Sequence, residues 1–243
     1  MLNFIIADLT TTKQPERVSL LQHFFQTHKW WYGEWDIFLW HRVPDLRKIA
    51  KKYYKVLNLN EMQKLIESQY HEFRLISLMM LVYKIQSKKI TELEKKEIYE
   101  FYIENTKYIN NWDLVDLSAP GIVWNYLFEQ KDKKNLYKLA KSRNMRERRI
   151  AIVSTYFFIK KNNFILTLDI AKLLLDYEHH LIHKAVWRML REMWKKDTQK
   201  LEDFLEEFAS KMPRTMLRYA IEKFPEGERK EWLRRKIKKI PQK

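Results

Sequence analysis

A tryptophan and an aspartate four residues apart, Trp112 and Asp116, form the pair in this chain best suited to chemistry. Side chains at this spacing lie on one face of a helix, so an indole and a carboxylate would sit side by side. Asp113 turns to another face, and as an acid in the first turn it suits the helix dipole. Spacing alone leaves Asp116 two interpretations. It is either a catalytic carboxylate or a cap or salt-bridge partner, and the second is commoner in apolar surroundings.

The elements that would position this pair are helices, because the chain has only 3 Gly and 6 Pro in 243 residues. Strands need frequent turns, and turns need Gly, Pro, Asn and Asp. We therefore predict an all-α fold. Apolar periodicity predicts helices over Asn60–Ser68, His71–Ser87, Thr91–Asn105, Trp112–Ala119, Ile122–Glu129, Lys131–Ser142, Met145–Lys160, Phe164–Tyr177, His180–Lys195, Thr198–Met212, Pro213–Phe224 and Gly227–Ile240.

Three of these helices carry a cation just before a small residue, at Arg149, Lys184 and Arg218, which are 35 and 34 residues apart. A period in the thirties with two helices per unit is typical of a helical solenoid. We predict a single repeat domain over residues 1–243, in which 229–243 form a basic C-terminal helix or tail. The repeated cations either line one face as a track for a phosphate backbone or merely extend over the edge of the core.

The charge balance predicts a polyanionic partner. Lys and Arg number 47 against 31 Asp and Glu, which leaves a net charge of +16. An excess of this size favours binding to a phosphate backbone. An anionic membrane is the weaker alternative, because no helix combines a basic face with a clearly exposed apolar face.

Cysteine is absent, so a disulfide framework and a thiolate metal site are both excluded. His179 and His183 have metal-ligand spacing, but no H-E-x-x-H motif completes them and no metal is expected. The short apolar start does not resemble a signal peptide, and no apolar stretch is long enough to span a membrane. We expect a cytoplasmic protein.

Several segments resemble the AlkD-type DNA alkylation repair glycosylases. The segment from Asn111 to Asp116 is similar to the family's W-D-x-V-D motif, and Met145–Ile152 is similar to its arginine-bearing helix. Further matches follow the same order along the chain: Tyr32–Glu34, Arg42–Arg47, His183–Glu192 and Met212–Phe224.

This resemblance implies a solenoid of HEAT-like helical repeats with a concave basic face that binds duplex DNA. It implies hydrolysis of the N-glycosidic bond of N3- and N7-alkylated purines. Asp116 matches the catalytic carboxylate, Trp112 an aromatic beside the sugar, and Arg149 a cation on the DNA backbone. We expect further DNA contacts from Arg148, Lys184, Arg188 and Arg218. No cofactor, membrane or obligate protein partner is expected, and the protein should be monomeric.

Two other functions remain open. One is a HEAT-like scaffold that binds DNA without chemistry, and the other is a helical-repeat scaffold for protein partners. The altered pair Trp187–Arg188 leaves room for the first of these, because it replaces a Gly–Trp pair of the family and removes the family's second aromatic cleft residue. Trp187 lies about 100° around the helix from that position and should point elsewhere. The scaffold for protein partners is the weaker alternative.

Tryptophan usage is also unusual, with 9 Trp against 3 Gly. Most of these tryptophans fall where members of the family usually carry glycine. One hypothesis is that UGA codons read as glycine in the source are translated here as tryptophan, which would place Trp at turns that need glycine-like dihedrals. The alternative is genuine aromatic enrichment for base stacking. The residues concerned are Trp30, Trp31, Trp35, Trp40, Trp124, Trp187 and Trp194.

Overall fold

A computed structural model describes residues 2–11, 18–25, 27, 33–34 and 36–234. Within these ranges the secondary structure is helical, with an isolated bridge between Ile37 and Tyr70 and no strand. The all-α prediction is therefore confirmed. Among the described helices we find no candidate for a membrane-spanning segment. The helices cluster into two compact units, one ending at Glu129 and the other beginning at Gln130.

The first unit is built around α5 (His71–Ile85), a helix whose residues are buried on nearly every side. Helices α3 (Val43–Tyr53), α4 (Leu59–Ile66) and α7 (Trp112–Leu127) pack against it. Capping boxes at Asn58 and Thr91 fix the starts of α4 and α6 (Glu92–Glu104). In each, the side chain accepts a hydrogen bond from the backbone N–H of a glutamate three residues later, and that glutamate carboxylate accepts one from the backbone N–H of the capping residue. The helices are α1 Leu2–Thr11, α2 Val18–Phe24, α3 Val43–Tyr53, α4 Leu59–Ile66, α5 His71–Ile85, α6 Glu92–Glu104 and α7 Trp112–Leu127, with a 3₁₀ turn at Thr106–Tyr108.

The second unit repeats this packing around α12 (His180–Trp194), which contacts helices that precede it and helices that follow it in the sequence. Its strongly amphipathic pattern buries one face and leaves cations on the other. The helices are α8 Lys134–Ala140, α9 Met145–Val153, α10 Tyr156–Lys160, α11 Ile165–Leu173, α12 His180–Trp194, α13 Thr198–Phe208, α14 Arg214–Ala220 and α15 Glu226–Arg234. The predicted basic tail lies outside the described residues beyond Arg234.

Helix α7 runs without interruption through Pro120, where the sequence pattern predicted two helices. That prediction was wrong because burial on α5 holds the segment helical despite the missing N–H of the proline. Gly121 lets the two helices approach closely. A β-carbon there would lie 3.3 Å from Gln86 Nε2 and from Val82 Cγ1.

The predicted helix Met145–Lys160 is instead two helices, α9 and α10. Both residues at the break are buried, and their hydroxyls bond back to the preceding turn. Ser154 Oγ donates to the Ile150 carbonyl, and Thr155 Oγ1 donates to the Ile152 carbonyl. Such local bonds compete with the helical pattern and explain why it breaks here.

Two buried side chains tie successive helix pairs of the second unit together. Nη1 of Arg149 donates to the Leu181 carbonyl at 2.7 Å. His183 contacts Thr215 through Nδ1 at 3.3 Å. Each link spans 32 residues. Arg149 and His183 are themselves 34 residues apart, which agrees with the repeat period that the sequence predicted. Arg149 and His183 are both buried and both link to the next helix pair, whereas Lys184 is exposed. His183, rather than Lys184, is therefore the residue of α12 that corresponds to Arg149.

Trp40 adopts a left-handed backbone conformation with φ 59°. The buried Glu72 carboxylate holds this segment by accepting the N–H groups of Leu39 at 3.0 Å and of Trp40 at 2.7 Å. Two successive N–H groups directed at an anion form a nest, which needs a left-handed residue. Glycine suits such a position, whereas a residue with a β-carbon is strained by about 1–2 kcal/mol.

Trp40 thus has the glycine-like dihedrals that we expected at several of these tryptophans, whereas Trp124, Trp187 and Trp194 lie in helices. Trp30, Trp31 and Trp35 lie outside the described residues. We expect protein purified from its native source to carry glycine at position 40. Mass spectrometry of the peptide containing that residue tests this, and an intact indole there would contradict codon reassignment.

Candidate active site

The start of α7 brings an indole and a carboxylate to one helical face, as the spacing predicted. Trp112 is the first residue of the helix and Asp116 is one turn later, and both are half-buried. Asn111 caps the helix, because its Oδ1 accepts the N–H of Trp112 at 2.8 Å. Both side chains therefore sit at the N-terminal end of a helix, and the rotation of its first turn fixes where they point.

The surroundings of Asp116 include a buried phenol. Tyr102 of α6 is fully buried, and its hydroxyl lies 3.0 Å from Ser118 Oγ. Burial raises the pKa of the Tyr102 hydroxyl, and the negative charge of Asp116 raises it further. Pro120 cannot donate to the Asp116 carbonyl, because proline has no N–H. Asp116 therefore lies close enough to this buried phenol for its charge to act on the hydroxyl.

An aromatic cluster flanks Trp112 and was not predicted from the sequence. Phe24 lies edge-on to Trp112, with ring centroids 5.8 Å apart, and it is 61% exposed. Phe25 lies 5.5 Å from the Trp112 ring and stacks on Phe38 at 5.1 Å. An exposed phenylalanine beside a half-buried indole forms an apolar surface at the start of α7. The sequence feature that could have predicted this cluster is the pair of adjacent phenylalanines, Phe24 and Phe25, just before an irregular segment.

Beneath α7 lies a buried charged cluster centred on Asp36, which is 4% exposed. Its carboxylate pairs with Arg74 and accepts from Asn110 at 2.6 Å and from Asn111 at 2.9 Å. Burial alone would raise the pKa of Asp36. The hydrogen bond from His71, the charges of Arg74 and His71, and the Asn110 amide outweigh burial and lower the pKa to about 2.

His71 joins this cluster to α7. Its Nε2 lies 2.8 Å from Asp113 Oδ2, and its Nδ1 lies 3.3 Å from Asp36 Oδ2. Burial alone would lower the pKa of His71, but the charge and hydrogen bond of Asp113 and the contact with Asp36 raise it to about 9. The sequence carried a signal for this cluster, since His71, Glu72 and Arg74 begin an otherwise apolar helix.

A basic groove runs between α3 and α5 and was also missed. One part is lined by Arg47, Lys51, Tyr83 and Leu117, the residue after Asp116. It adjoins a second part through Lys51 and Tyr83, which is lined by Lys51, Lys52, Tyr54, Lys55, Tyr83, Gln86, Ser87 and Lys88. The signal was the spacing of Arg47 and Lys51, which lie one turn apart on one face of α3, with Lys55 in the turn that follows the helix.

The cations of this groove differ in their partners. Lys52 bonds Asp8 at 2.9 Å. No ion pair joins Arg47, Lys51 or Lys55 to a carboxylate of the described residues. All three are exposed, so their charges are available to an anion from solution.

A model of the DNA alkylation repair enzymes matches residues 5–224, which is most of the chain. The chain belongs to this family. Among solved structures, a predicted DNA alkylation repair enzyme from Enterococcus faecalis is similar, with a TM-score of 0.67 and 15% sequence identity. The similarity covers 88% of this chain and 98% of the other, and at this identity it shows the fold alone. No curated protein matches significantly.

In this alkylation repair family member, the five cations predicted to contact DNA lie in different surroundings. Lys184 and Arg218 are exposed, and Arg188 is half-buried one turn after Lys184. Arg148 is half-buried, with its guanidinium 4.0 Å from the Tyr177 ring centre. Arg149 is only 7% exposed and bonds the Leu181 carbonyl. Packing therefore accounts for Arg149, and its contact with DNA stays a prediction.

In this family member the Trp187 ring on α12 packs against two other side chains. Its ring stacks on Tyr219 at 5.0 Å, and the Arg191 guanidinium covers it at 4.5 Å. This stack of cation and two rings occupies α12 and α14 in the second unit. Tyr219 is 41% exposed, so the stack presents a phenol ring to solvent.

No group of three or more His, Cys, Asp or Glu within the described ranges could hold a metal ion. His179, His180 and His183 therefore do not form such a group. Burial first, and then the neighbouring cationic groups, lower the pKa of both His179 and His180.

Proposed function

We propose that this DNA repair family member is a DNA glycosylase. It would hydrolyse the N-glycosidic bond of N3- and N7-alkylated purines in duplex DNA. The observation that carries the proposal is the pairing of Trp112 and Asp116 on one half-buried face at the start of α7, beside the exposed Phe24. The protein would act as a cytoplasmic monomer, without a cofactor or an obligate protein partner.

The proposed reaction suits these side chains. Alkylation at a ring nitrogen makes the purine a cationic leaving group, so no general acid needs to protonate it. As the bond from C1′ to the purine nitrogen breaks, its electron pair neutralises the base and positive charge builds on the sugar. The Asp116 carboxylate would stabilise that charge and orient a water molecule.

Attack of that water on C1′ completes the hydrolysis. The water oxygen bonds C1′, and its proton leaves to Asp116 or to solvent, which yields a free alkylpurine and an abasic sugar. The Trp112 ring face would add a cation–π attraction of about 0.5–2 kcal/mol to the sugar cation. An apolar neighbourhood formed by Phe24 and Phe25 strengthens both electrostatic interactions.

The groove between α3 and α5 would bind the phosphate backbone beside the lesion. Its exposed cations Arg47, Lys51 and Lys55 lead to Leu117, next to Asp116. In the second unit the exposed Lys184 and Arg218, together with Arg148 and Arg188, would add backbone contacts. We keep Arg149 as a further contact, although its burial weakens that role.

Release of base from damaged duplex DNA tests the proposal. The purified protein is incubated with duplexes that contain 7-methylguanine, 3-methyladenine or no lesion, and the free bases are separated and quantified. We expect release of the alkylated bases above the spontaneous rate and none from undamaged DNA. Tight binding to all three duplexes without release would favour the non-catalytic scaffold, which the arginine at position 188 also favours.

The basic groove between α3 and α5 should contribute measurably to DNA binding. Lys51→Ala should weaken DNA binding and reduce the slope of log affinity against log salt by about one, because one phosphate contact is lost. Lys48→Ala is the matched control, because Lys48 lies on the same helix but pairs with Asp45 at 3.0 Å. Fluorescence anisotropy at several salt concentrations measures both. Equal slopes for the two variants would remove the groove from the DNA-binding surface.

A further inference from the structure

His71 is a histidine whose two ring nitrogens both face carboxylates. Nε2 lies 2.8 Å from Asp113, and Nδ1 lies 3.3 Å from Asp36. Ionised carboxylates only accept hydrogen bonds, so both nitrogens must carry protons. The ring geometry therefore requires an imidazolium, although the side chain is only 3% exposed.

Three residues at the start of α7 form hydrogen bonds with Asp36 or His71. Asn110 and Asn111 donate to the two oxygens of Asp36, and Asp113 accepts from His71. Asp36 is 1% exposed at its side chain, so these bonds are shielded from water. Only Trp112 in this stretch points its side chain to the aromatic cluster instead.

The His71 ring also supports that aromatic cluster. Phe38 packs on it with centroids 4.6 Å apart, and Phe25 at 5.3 Å. Phe25 in turn contacts Trp112 at 5.5 Å. One imidazolium thus contacts the helix through Asp113 and the indole through Phe25.

We propose that His71, held as an imidazolium between Asp36 and Asp113, is the positioning residue that sets the first turn of α7. It would thereby fix where Trp112 and Asp116 meet the substrate. This inference rests on the proposed glycosylase function for its effect on rate, and on the geometry alone for its effect on α7.

The charges around His71 make the arrangement dependent on pH. Asp113 faces it from α7 and Asp36 from the segment before α3, while Glu72 and Arg74 are its charged neighbours on α5. The Phe25 and Phe38 rings carry no charge. With the pKa of His71 at about 9, deprotonation above that pH places a ring lone pair against a carboxylate and releases Asp113.

His71→Gln tests the rate. Glutamine can donate to one carboxylate but cannot bridge two as a cation. We expect the single-turnover rate of base release to fall about 10-fold to 100-fold while DNA affinity stays unchanged, because a small misplacement of reacting groups has this effect. The wild-type rate should decline as pH rises through about 9, and this decline should be absent in His71→Gln.

His183→Gln is the matched control. His183 is another buried histidine that links two helices, through Thr215, but it lies in the second unit. The His183→Gln variant should be less stable than the wild type, but its rate of base release should still decline as pH rises through about 9. A wild-type rate and pH profile in His71→Gln would overturn the inference.

Two measurements do not depend on activity. NMR titration of the imidazole signals should give His71 a pKa of about 9, and Asp113→Asn should lower it. Backbone hydrogen exchange at residues 113–117 should be faster in His71→Gln than in His183→Gln. Faster exchange with an inactive wild type would overturn the glycosylase function and leave the positioning of α7 standing. Unchanged exchange would overturn the inference whatever the activity.

Discussion

Asp116→Asn is expected to lower the rate of base release by about 10²–10³-fold while DNA binding is retained. Asparagine has nearly the same volume and keeps the half-buried face of α7 filled. It lacks the negative charge that would stabilise the sugar cation, and removal of one such electrostatic group costs about 3–4 kcal/mol in the transition state. Single-turnover release from a 7-methylguanine duplex measures the rate, and anisotropy measures binding.

The control for this substitution is Asp169→Asn. Asp169 is an exposed carboxylate of the second unit that accepts from the Tyr137 hydroxyl at 2.7 Å, so the same change in net charge occurs away from α7. It should leave the rate of release unchanged. Equal rates for wild type and Asp116→Asn would discard Asp116 as the catalytic carboxylate, and loss of DNA binding would instead indicate that α7 had unfolded.

Asp36→Asn is expected to destabilise the first unit by about 3–5 kcal/mol, because it leaves the buried Arg74 and His71 with one fewer counter-charge. The asparagine amide would also face the amide donors of Asn110 and Asn111. Urea denaturation followed by circular dichroism measures the free energy of unfolding. Asp45→Asn is the control, because this carboxylate forms only an exposed pair with Lys48. Its effect should be within about 1 kcal/mol. A similar small effect for Asp36→Asn would mean that the cluster does not hold the unit together.

The same cluster predicts how stability changes with pH. The folded pKa of Asp36 is lowered from 3.8 to about 2, so its contribution is full above about pH 4 and is lost as pH falls through about 2. The folded pKa of His71 is raised from 6.5 to about 9, so its contribution is full below about pH 6.5 and is lost as pH rises through about 9.

Urea denaturation at pH values of about 2, 6 and 10 should therefore give the highest free energy of unfolding near pH 6. His71→Gln should lose the alkaline part of this dependence and keep the acid part. A wild-type stability that is flat between about pH 6 and 10 would contradict the charged state assigned to His71.

Much of the helical pattern could be read from the sequence, and its errors have local causes. The starts of α5 at His71 and of α7 at Trp112 were predicted to the residue, because apolar periodicity begins at both and Asn111 caps the second. The break predicted at Pro120 is absent because packing on α5 overrides propensity. The break at Ser154 was missed because two hydroxyls bond locally to the backbone.

The amino-acid sequence by itself determined the helical class, the repeat period, the basic charge and the Trp112–Asp116 pair, because each depends on composition or on residues within one helical turn. Tertiary structure alone decided what surrounds that pair. Asp36 meets Asn111 across 75 residues, and His71 meets Asp113 across 42. Tertiary structure also buried Arg149 and left Lys184 exposed, although both follow the same local pattern. Such contacts depend on which helices pack against each other, and the spacing of residues within one helix does not identify the helix that packs on it.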